Sequence, residues 1–148
     1  MKLNGFLTAQ QQASVVDAVR LAEKGTSGEI RIHIDRECKS SPVRRAEVVF
    51  NRLGMYKTAQ RNGVLIYMAM ESKVFAIIGD KGINDVVPEN FWAEVIEAMG
   101  NEFRKGRIPE GLCIGVEMAG EKLKAFFPYQ EDDVNELPDS ISFEKEDR

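Results

Sequence analysis

The chain is poor in several residue types, and each scarcity excludes something. Its 148 residues hold two cysteines and one histidine. Cys38 and Cys113 cannot build a disulfide framework. With His33 as the one imidazole, a tetrahedral Cys/His zinc site is nearly excluded. No apolar run approaches the roughly 18–20 residues of a membrane-spanning helix. The first residues, MKLNGFLTAQQQ, lack an apolar signal core and a cleavage pattern. The expected location is therefore the cytoplasm, with both thiols reduced. A domain-wide basic excess is missing as well. The net charge is −4, but residues 131–148 carry eight acidic and two basic side chains, which leaves residues 1–130 at +2. That balance argues against a nucleic-acid surface. Neither an internal repeat nor a low-complexity tract is present.

What is there suits one soluble domain with a real core over residues 1–128, followed by an acidic, poorly periodic and flexible tail over 129–148. The most hydrophobic stretch is RNGVLIYMAMESKVFAIIGDKGI at 61–83. Val64–Met70 and Val74–Ile78 are short apolar runs separated by Glu71-Ser72-Lys73. They read as two buried antiparallel strands joined by a hairpin turn. Upstream, Thr8-Ala9-Gln10-Gln11 has capping-box spacing and Val15, Val16, Val19 and Ala22 recur at helical spacing, which predicts a helix over 9–24. GEIRIHID at 28–35 alternates strictly. It predicts an edge strand, or one half-covered by a helix, with Ile30, Ile32 and Ile34 on a dry face, and Glu29, Arg31, His33 and Asp35 on a wet or partly covered one. Ser41-Pro42 opens a second helix with a stripe of Ala46, Val49, Phe50 and Leu53. Strand, helix, strand in this order is a βαβ unit with parallel strands and a right-handed crossover. Two more helices are expected, one opening at Pro88 and one near Pro109. In the last, Gly111, Gly115 and Gly120 lower helix propensity by about 1 kcal/mol each, which close approach to another element would offset. The expected architecture is an α/β sandwich: a small mixed sheet, a βαβ unit followed by a β-hairpin, with helices on both faces.

This topology brings three loops to one sheet edge: Ser27-Gly28-Glu29, Arg61-Asn62-Gly63 and Gly79-Asp80-Lys81-Gly82. Glu29, Asn62 and Asp80 are oxygen donors of the kind calcium or magnesium takes, with Asn84 and Asp85 just beyond. Asp80 and Asn62 equally suit turn capping. Arg61 and Lys81 either neutralise Asp80, hold an anionic group beside a cation, or stand as solvated charges. His33 titrates near neutrality when unperturbed but has no named partner, so it reads as a surface residue rather than a general base. Cys38 and Cys113 lack a histidine partner for nucleophilic catalysis. Phe91 and Trp92 read as core.

Five stretches in this order resemble the TPM domain family, named from a thylakoid-lumen protein, a photosystem repair protein and a modulator of nicotinic receptors. They are FLTAQQQ at 6–12, TSGEIRIHI at 26–34, FNRLGM at 50–55, the 61–83 stretch and FRKGRIPEGLCIGVE at 103–117. The resemblance covers roughly residues 6–128. It implies an α/β/α sandwich and a divalent-cation site, usually for calcium, in a cleft lined by acidic residues. It also implies a phosphatase label resting on weak acid phosphatase activity in the plant branch. The matching positions are Asn62, where many members have Asp, and Gly79-Asp80 with Gly82, where many have an aromatic residue at the Asp80 position. Glu29 belongs to the SGEI version of the motif. Many members carry a signal peptide and a C-terminal membrane helix or Gly-rich tail. This chain resembles instead a stand-alone bacterial form, to which photosystem repair and receptor modulation do not transfer.

The resulting expectation is a monomeric divalent-cation-binding domain, of calcium type with magnesium as the variant, in an accessory or assembly role beside a protein partner. Glu29, Asn62, Asp80 and Asp85 would be the ligands. One alternative is a weak metal-dependent acid phosphatase acting on a phosphorylated small molecule, with Asp80 holding the cation and Arg61 or Lys81 the phosphoryl group. The other is a metal-free protein-interaction domain.

Overall fold

The computed structural model describes residues 5–130 and 137–144. Helix α1 spans Ala9–Glu23, and its start follows from the capping box. The Thr8 hydroxyl accepts from the Gln11 amide at 3.0 Å, while the Gln11 side chain accepts from the Thr8 amide at 2.9 Å. Strand β1 is Glu29–Asp35, helix α2 Pro42–Arg52, strand β2 Gly63–Ala69 and strand β3 Val74–Gly79. A one-turn helix α3 (Lys81–Asn84), helix α4 (Ala93–Arg104), helix α5 (Ile108–Lys124) and a two-residue strand β4 (Ser142–Phe143) complete the order.

The sheet order is β3-β2-β1-β4, with β1 parallel to both β2 and β4, and β2 antiparallel to β3. The period-2 pattern of the strands then builds two cores. Ile30, Ile32 and Ile34 of β1, with Val64, Ile66 and Met68 of β2, meet α1, α4 and α5. Leu65, Tyr67 and Ala69 of β2 and Ala76 of β3 face Ala46, Val49 and Phe50 of α2. The expected mixed α/β sandwich is the architecture found. The glycines of α5 bring it close to its neighbours. An added Cβ would lie 2.4 Å from the Phe103 ring at Gly111, 2.5 Å from Met99 Sδ at Gly115 and 2.9 Å from the Ala22 Cβ at Gly120.

Four expectations need correction. The strand over 28–35 is paired on both sides rather than lying at an edge, and its polar face is the covered one: Glu29, His33 and Asp35 are 4%, 4% and 1% exposed. The helix expected at Pro88 starts at Ala93. Before it, Phe91 N donates to Pro88 O and Ala93 N to Asn90 O in two successive turns, which bury Phe91 against Trp92 at a ring separation of 4.7 Å. The loop after β3 contains α3, because the Asp80 side chain caps the Lys81 amide. Finally, residues 137–144 of the expected flexible tail return to the sheet and supply β4, while residues 131–136 and 145–148 lie outside the described residues.

Candidate functional site

The backbone alone brings the three loops together. Glu29 is in register with Gly63, and Val64 with Gly79. Glu29 N donates to Asn62 O at 3.2 Å, Asp80 N to Gly63 O at 2.9 Å and Gly82 N to Arg61 O at 2.9 Å. Arg61 sits at φ 51°, in the left-handed region. Its carbonyl and that of Gln60 point at Gly82, where an added Cβ would fall 2.7 and 2.2 Å from them. Only glycine lets these two loops lie against one another.

The side chains of the predicted residues then diverge. Asp80, 6% exposed, forms a two-point ion pair with Arg61: Nε donates to Oδ2 at 2.7 Å and Nη2 to Oδ1 at 2.9 Å. This contact keeps the Arg61 guanidinium protonated beyond its ordinary range. Asp80 Oδ1 also accepts from Lys81 N at 2.7 Å. Glu29 shares the α2-side face of the sheet with Asp80, but β2 separates them by roughly 10 Å of sheet. Its Oε1 accepts from the Leu137 amide at 2.6 Å. Asn62 Nδ2 donates to Ser27 O at 3.2 Å, and its own amide donates to Thr58 Oγ1 at 3.1 Å. Asp85 is exposed at the C-terminal cap of α3. Glu29, Asn62 and Asp85 thus do not converge on Asp80. Among the described residues, no three His, Cys, Asp or Glu side chains gather as a metal-holding group.

The polar residues that share a cleft with Asp80 and Arg61 come from α2 and α3. A cleft of about 490 Å³ is lined by Glu47, Asn51, Arg61, Asp80, Lys81 and Asn84, with Phe50, Ile78 and Trp92 as apolar wall. Glu47 and Asn51 are four residues apart and therefore share one helix face. They were hidden in the sequence because the α2 stripe of Ala46, Val49 and Phe50 marks the buried face, and neighbouring polar residues read as solvated. The faint signal was their place on the crossover helix, which lies over the β2–β3 hairpin.

A second polar cluster lies deeper under α2. Asp35 accepts from Tyr67 Oη at 2.6 Å and Arg45 Nε at 2.7 Å, and lies 2.7 Å from His33 Nε2; His33 Nδ1 is 2.9 Å from Ser142 Oγ. Burial pushes the Asp35 carboxyl up, but the hydrogen bonds with His33, Arg45 and Tyr67 outweigh it and hold the group well below the usual carboxylate range. Burial, and then donation to Asp35, push the Tyr67 hydroxyl up. The serine, histidine and aspartate follow one another as in a hydrolase relay. Yet His33 and Asp35 are closed to solvent and the chain of contacts ends on strand β4, so the cluster locks β1, β2, α2 and β4 together. His33, expected at the surface, is a buried member of this lock.

A TPM domain model matches residues 1–122 of the chain. The fold is similar to the NMR structure of the BA42 protein from the psychrophilic bacterium Bizionia argentinensis. The identity is 47%, the TM-score 0.90, and the match covers 97% of this chain and 99% of that one. A comparison with curated proteins gave no match. No helix among the described residues is long and apolar enough to cross a membrane.

Proposed function

The chain belongs to the TPM domain family, and on that premise we propose that it is a divalent-cation-binding domain with an accessory or assembly role, its cation held at Asp80. The observation that carries this reading is the lining of the cleft. Asp80, Glu47, Asn51 and Asn84, which carry carboxylate and amide oxygens, line one space large enough for a hydrated ion, and hard cations such as calcium take such donors. The donor set therefore fits the group. Arg61 holds Asp80 and is itself about half exposed, so its side chain has room to swing away as a cation approaches. Glu29 and Asn62 hold the neighbouring loops and are not ligands in this reading.

The test is a calcium titration followed by amide chemical shifts, with magnesium in parallel and Asp80→Asn as control. Saturable shifts at 47, 51, 61–63 and 79–85 that vanish in Asp80→Asn are expected. Shifts confined to the acidic residues beyond 130 would reduce the effect to a charged tail attracting ions, and an unresponsive spectrum would leave the metal-free interaction domain standing.

Arg61 and Lys81 beside Asp80 favour a second reading, a metal-dependent phosphatase in which the cations orient a phosphoryl oxygen. Phosphate release from p-nitrophenyl phosphate with calcium or magnesium, abolished by Asp80→Asn, distinguishes it. Binding ranks first because both oxygens of Asp80, the buried carboxylate of the cleft, are engaged by Arg61 and the Lys81 amide, and the described lining adds no histidine, serine, threonine or cysteine beside it.

A further inference from the structure

A second cavity lies where the β2–β3 turn meets the corner between α4 and α5. Its volume is about 510 Å³, within the range of small-molecule pockets. Phe6, Met68, Met70, Phe75, Phe103 and Ile108 give it an apolar wall. The Phe75 and Phe103 rings meet edge to face with centroids 5.0 Å apart. Two charged side chains stand among these residues, Lys73 and Arg104, and both are cations. No carboxylate occurs in the described lining. The acids nearest in sequence are engaged elsewhere, Glu71 with Arg36 at 3.1 Å and Glu102 with Arg107 at 2.6 Å. Arg104 Nη2 donates to the neutral Asn101 side chain, a contact that leaves its charge unmatched.

The backbone keeps this space open. Gly100 lies within α4, where glycine lowers helix propensity. The α5 glycines answer to packing, since an added Cβ would collide with Phe103, Met99 or Ala22. Gly100 does not. An added Cβ there would lie 3.1 Å from Arg104 Nη1, the far end of a flexible side chain, and 3.8 Å from the Phe75 ring. Helix packing does not demand this glycine, and what its missing side chain leaves is cavity between Phe75 and Arg104. Lys73 sits at φ 55°, in the left-handed region where glycine or asparagine is the easier choice. A cation stands there all the same, among the cavity's lining. We infer that this cavity binds a small amphipathic carboxylate, its apolar body against Met68, Met70 and the two phenylalanine rings and its carboxylate between Lys73 and Arg104. Methionine adapts to irregular apolar shapes. Arginine forms paired hydrogen bonds to a carboxylate, and lysine adds a point charge. An uncharged ligand would leave both cations without a counter-charge. Asp80 lies at the other end of the hairpin, roughly 20 Å away along the six residues of β3, so a ligand here is independent of any cation in the cleft.

The test uses the full chain in calcium-free buffer, with decanoate below its micelle concentration as probe and decanol as the uncharged counterpart. Saturable shifts are expected at the Met68 and Met70 methyl groups and the Phe75 and Gly100 amides, with the Asp80 and Lys81 amides unmoved. Decanoate should bind at least roughly tenfold more tightly than decanol, as hydrogen bonds to a charged group require. Lys73→Gln combined with Arg104→Gln should remove that preference; both positions are exposed, so the fold should tolerate the change. Gly100→Leu, which fills the cavity, should abolish the shifts. Equal affinity for decanoate and decanol, or a preference that survives the double variant, would overturn the carboxylate assignment. Absence of saturable shifts at the two methionines, or unchanged binding in a folded Gly100→Leu variant, would overturn the cavity as a site. Shifts induced by phosphatidylglycerol vesicles but not by decanoate would give this face to a membrane surface and overturn the small-molecule assignment.

Discussion

The Arg61 guanidinium covers both carboxylate oxygens of Asp80, at 2.7 and 2.9 Å, so the acid at the centre of the cleft is already matched by a charge of opposite sign. A cation entering the cleft has to compete with that guanidinium rather than fill an open shell. Two-point pairing of this kind is geometrically specific, but Arg61 is about half exposed, and pairs open to water are weak and salt-sensitive.

Removing the competitor should therefore strengthen cation binding. Arg61→Gln is expected to tighten calcium binding by roughly two- to fivefold, the range set by an exposed ion pair, while Asp80→Asn abolishes it. Calorimetric titration at low and moderate salt reads both. Weaker binding in Arg61→Gln would mean that the arginine organises the site and would end the competition account.

The buried cluster makes a pH prediction. Asp35 is held below its unfolded value, so its contribution to stability is complete above the unfolded range near pH 4 and is lost as pH falls through the folded value. Tyr67→Phe removes one hydrogen bond to the ionised carboxylate and should cost on the order of 1.5–3 kcal/mol at pH 7. Protonation of the unfolded chain is common to both proteins and cancels, and the folded carboxyl is held well below the usual range, so the gap should persist at pH 3 while both proteins lose stability. Urea unfolding of both proteins at pH 7 and pH 3 supplies the numbers, and a gap that disappears at pH 3 would show that Asp35 is not held ionised in the fold.

Much of the sheet and one edge of the site were legible in the residues, for identifiable reasons. The alternation of Ile30, Ile32 and Ile34, the capping box at Thr8 and the Ser41-Pro42 helix start are local signals, and each fixed an element. The antiparallel hairpin of β2 and β3 then brought Arg61–Gly63 beside Gly79–Gly82 without further information. Side-chain direction did not follow. Glu29 and Asp80 sit on one face but two strands apart, and the cleft beside Asp80 is lined in part by Glu47 and Asn51 of α2, whose polar positions carry no local mark. The burial of His33 and Asp35 was hidden for a related reason. Alternating polar residues signal a wet face unless partners neutralise them, and here Arg45, Tyr67 and Ser142 come from three separate elements. Strand β4 was obscured by acidic composition, which describes residues 131–148 on average but not Leu137, Ile141 and Phe143 within them.

Gly82 makes the contact between the two site loops testable. A Cβ there would lie 2.2 Å from the Gln60 carbonyl oxygen, a backbone atom that cannot rotate away. Gly82→Ala should cost about 1–3 kcal/mol through enforced backbone movement and should shift the amides of Arg61 and Asp80. Gly25→Ala is the control. Its added Cβ would meet nothing closer than 3.7 Å, and its stability should change by no more than about 0.5 kcal/mol. Equal effects at the two positions would remove the steric reading.

Glu23, at the end of α1, links the returning segment 137–144 to pH. Its Oε2 accepts from Ile30 N at 2.9 Å. Burial, and next a hydrogen bond with Asp139, push its carboxyl up to about 9, with Glu29 adding repulsion. The folded chain therefore holds a proton that the unfolded chain loses near pH 4.5. Stability from this group is fully present below that value and declines as pH rises towards 9. Glu23→Gln keeps an acceptor for Ile30 and a permanent donor for Asp139 without any charge to neutralise. The variant and the parent should unfold at similar urea concentrations at pH 4.5. At pH 8.5 the variant should be more stable by on the order of 1–3 kcal/mol, a figure reduced for the partial exposure of the pair. The Glu144 amide should also exchange more slowly in the variant at pH 8.5, because Asp139 then stays docked. Parallel stability profiles across this range would mean that Glu23 and Asp139 do not share a proton, and that the segment is held by Leu137 and Ser142 alone.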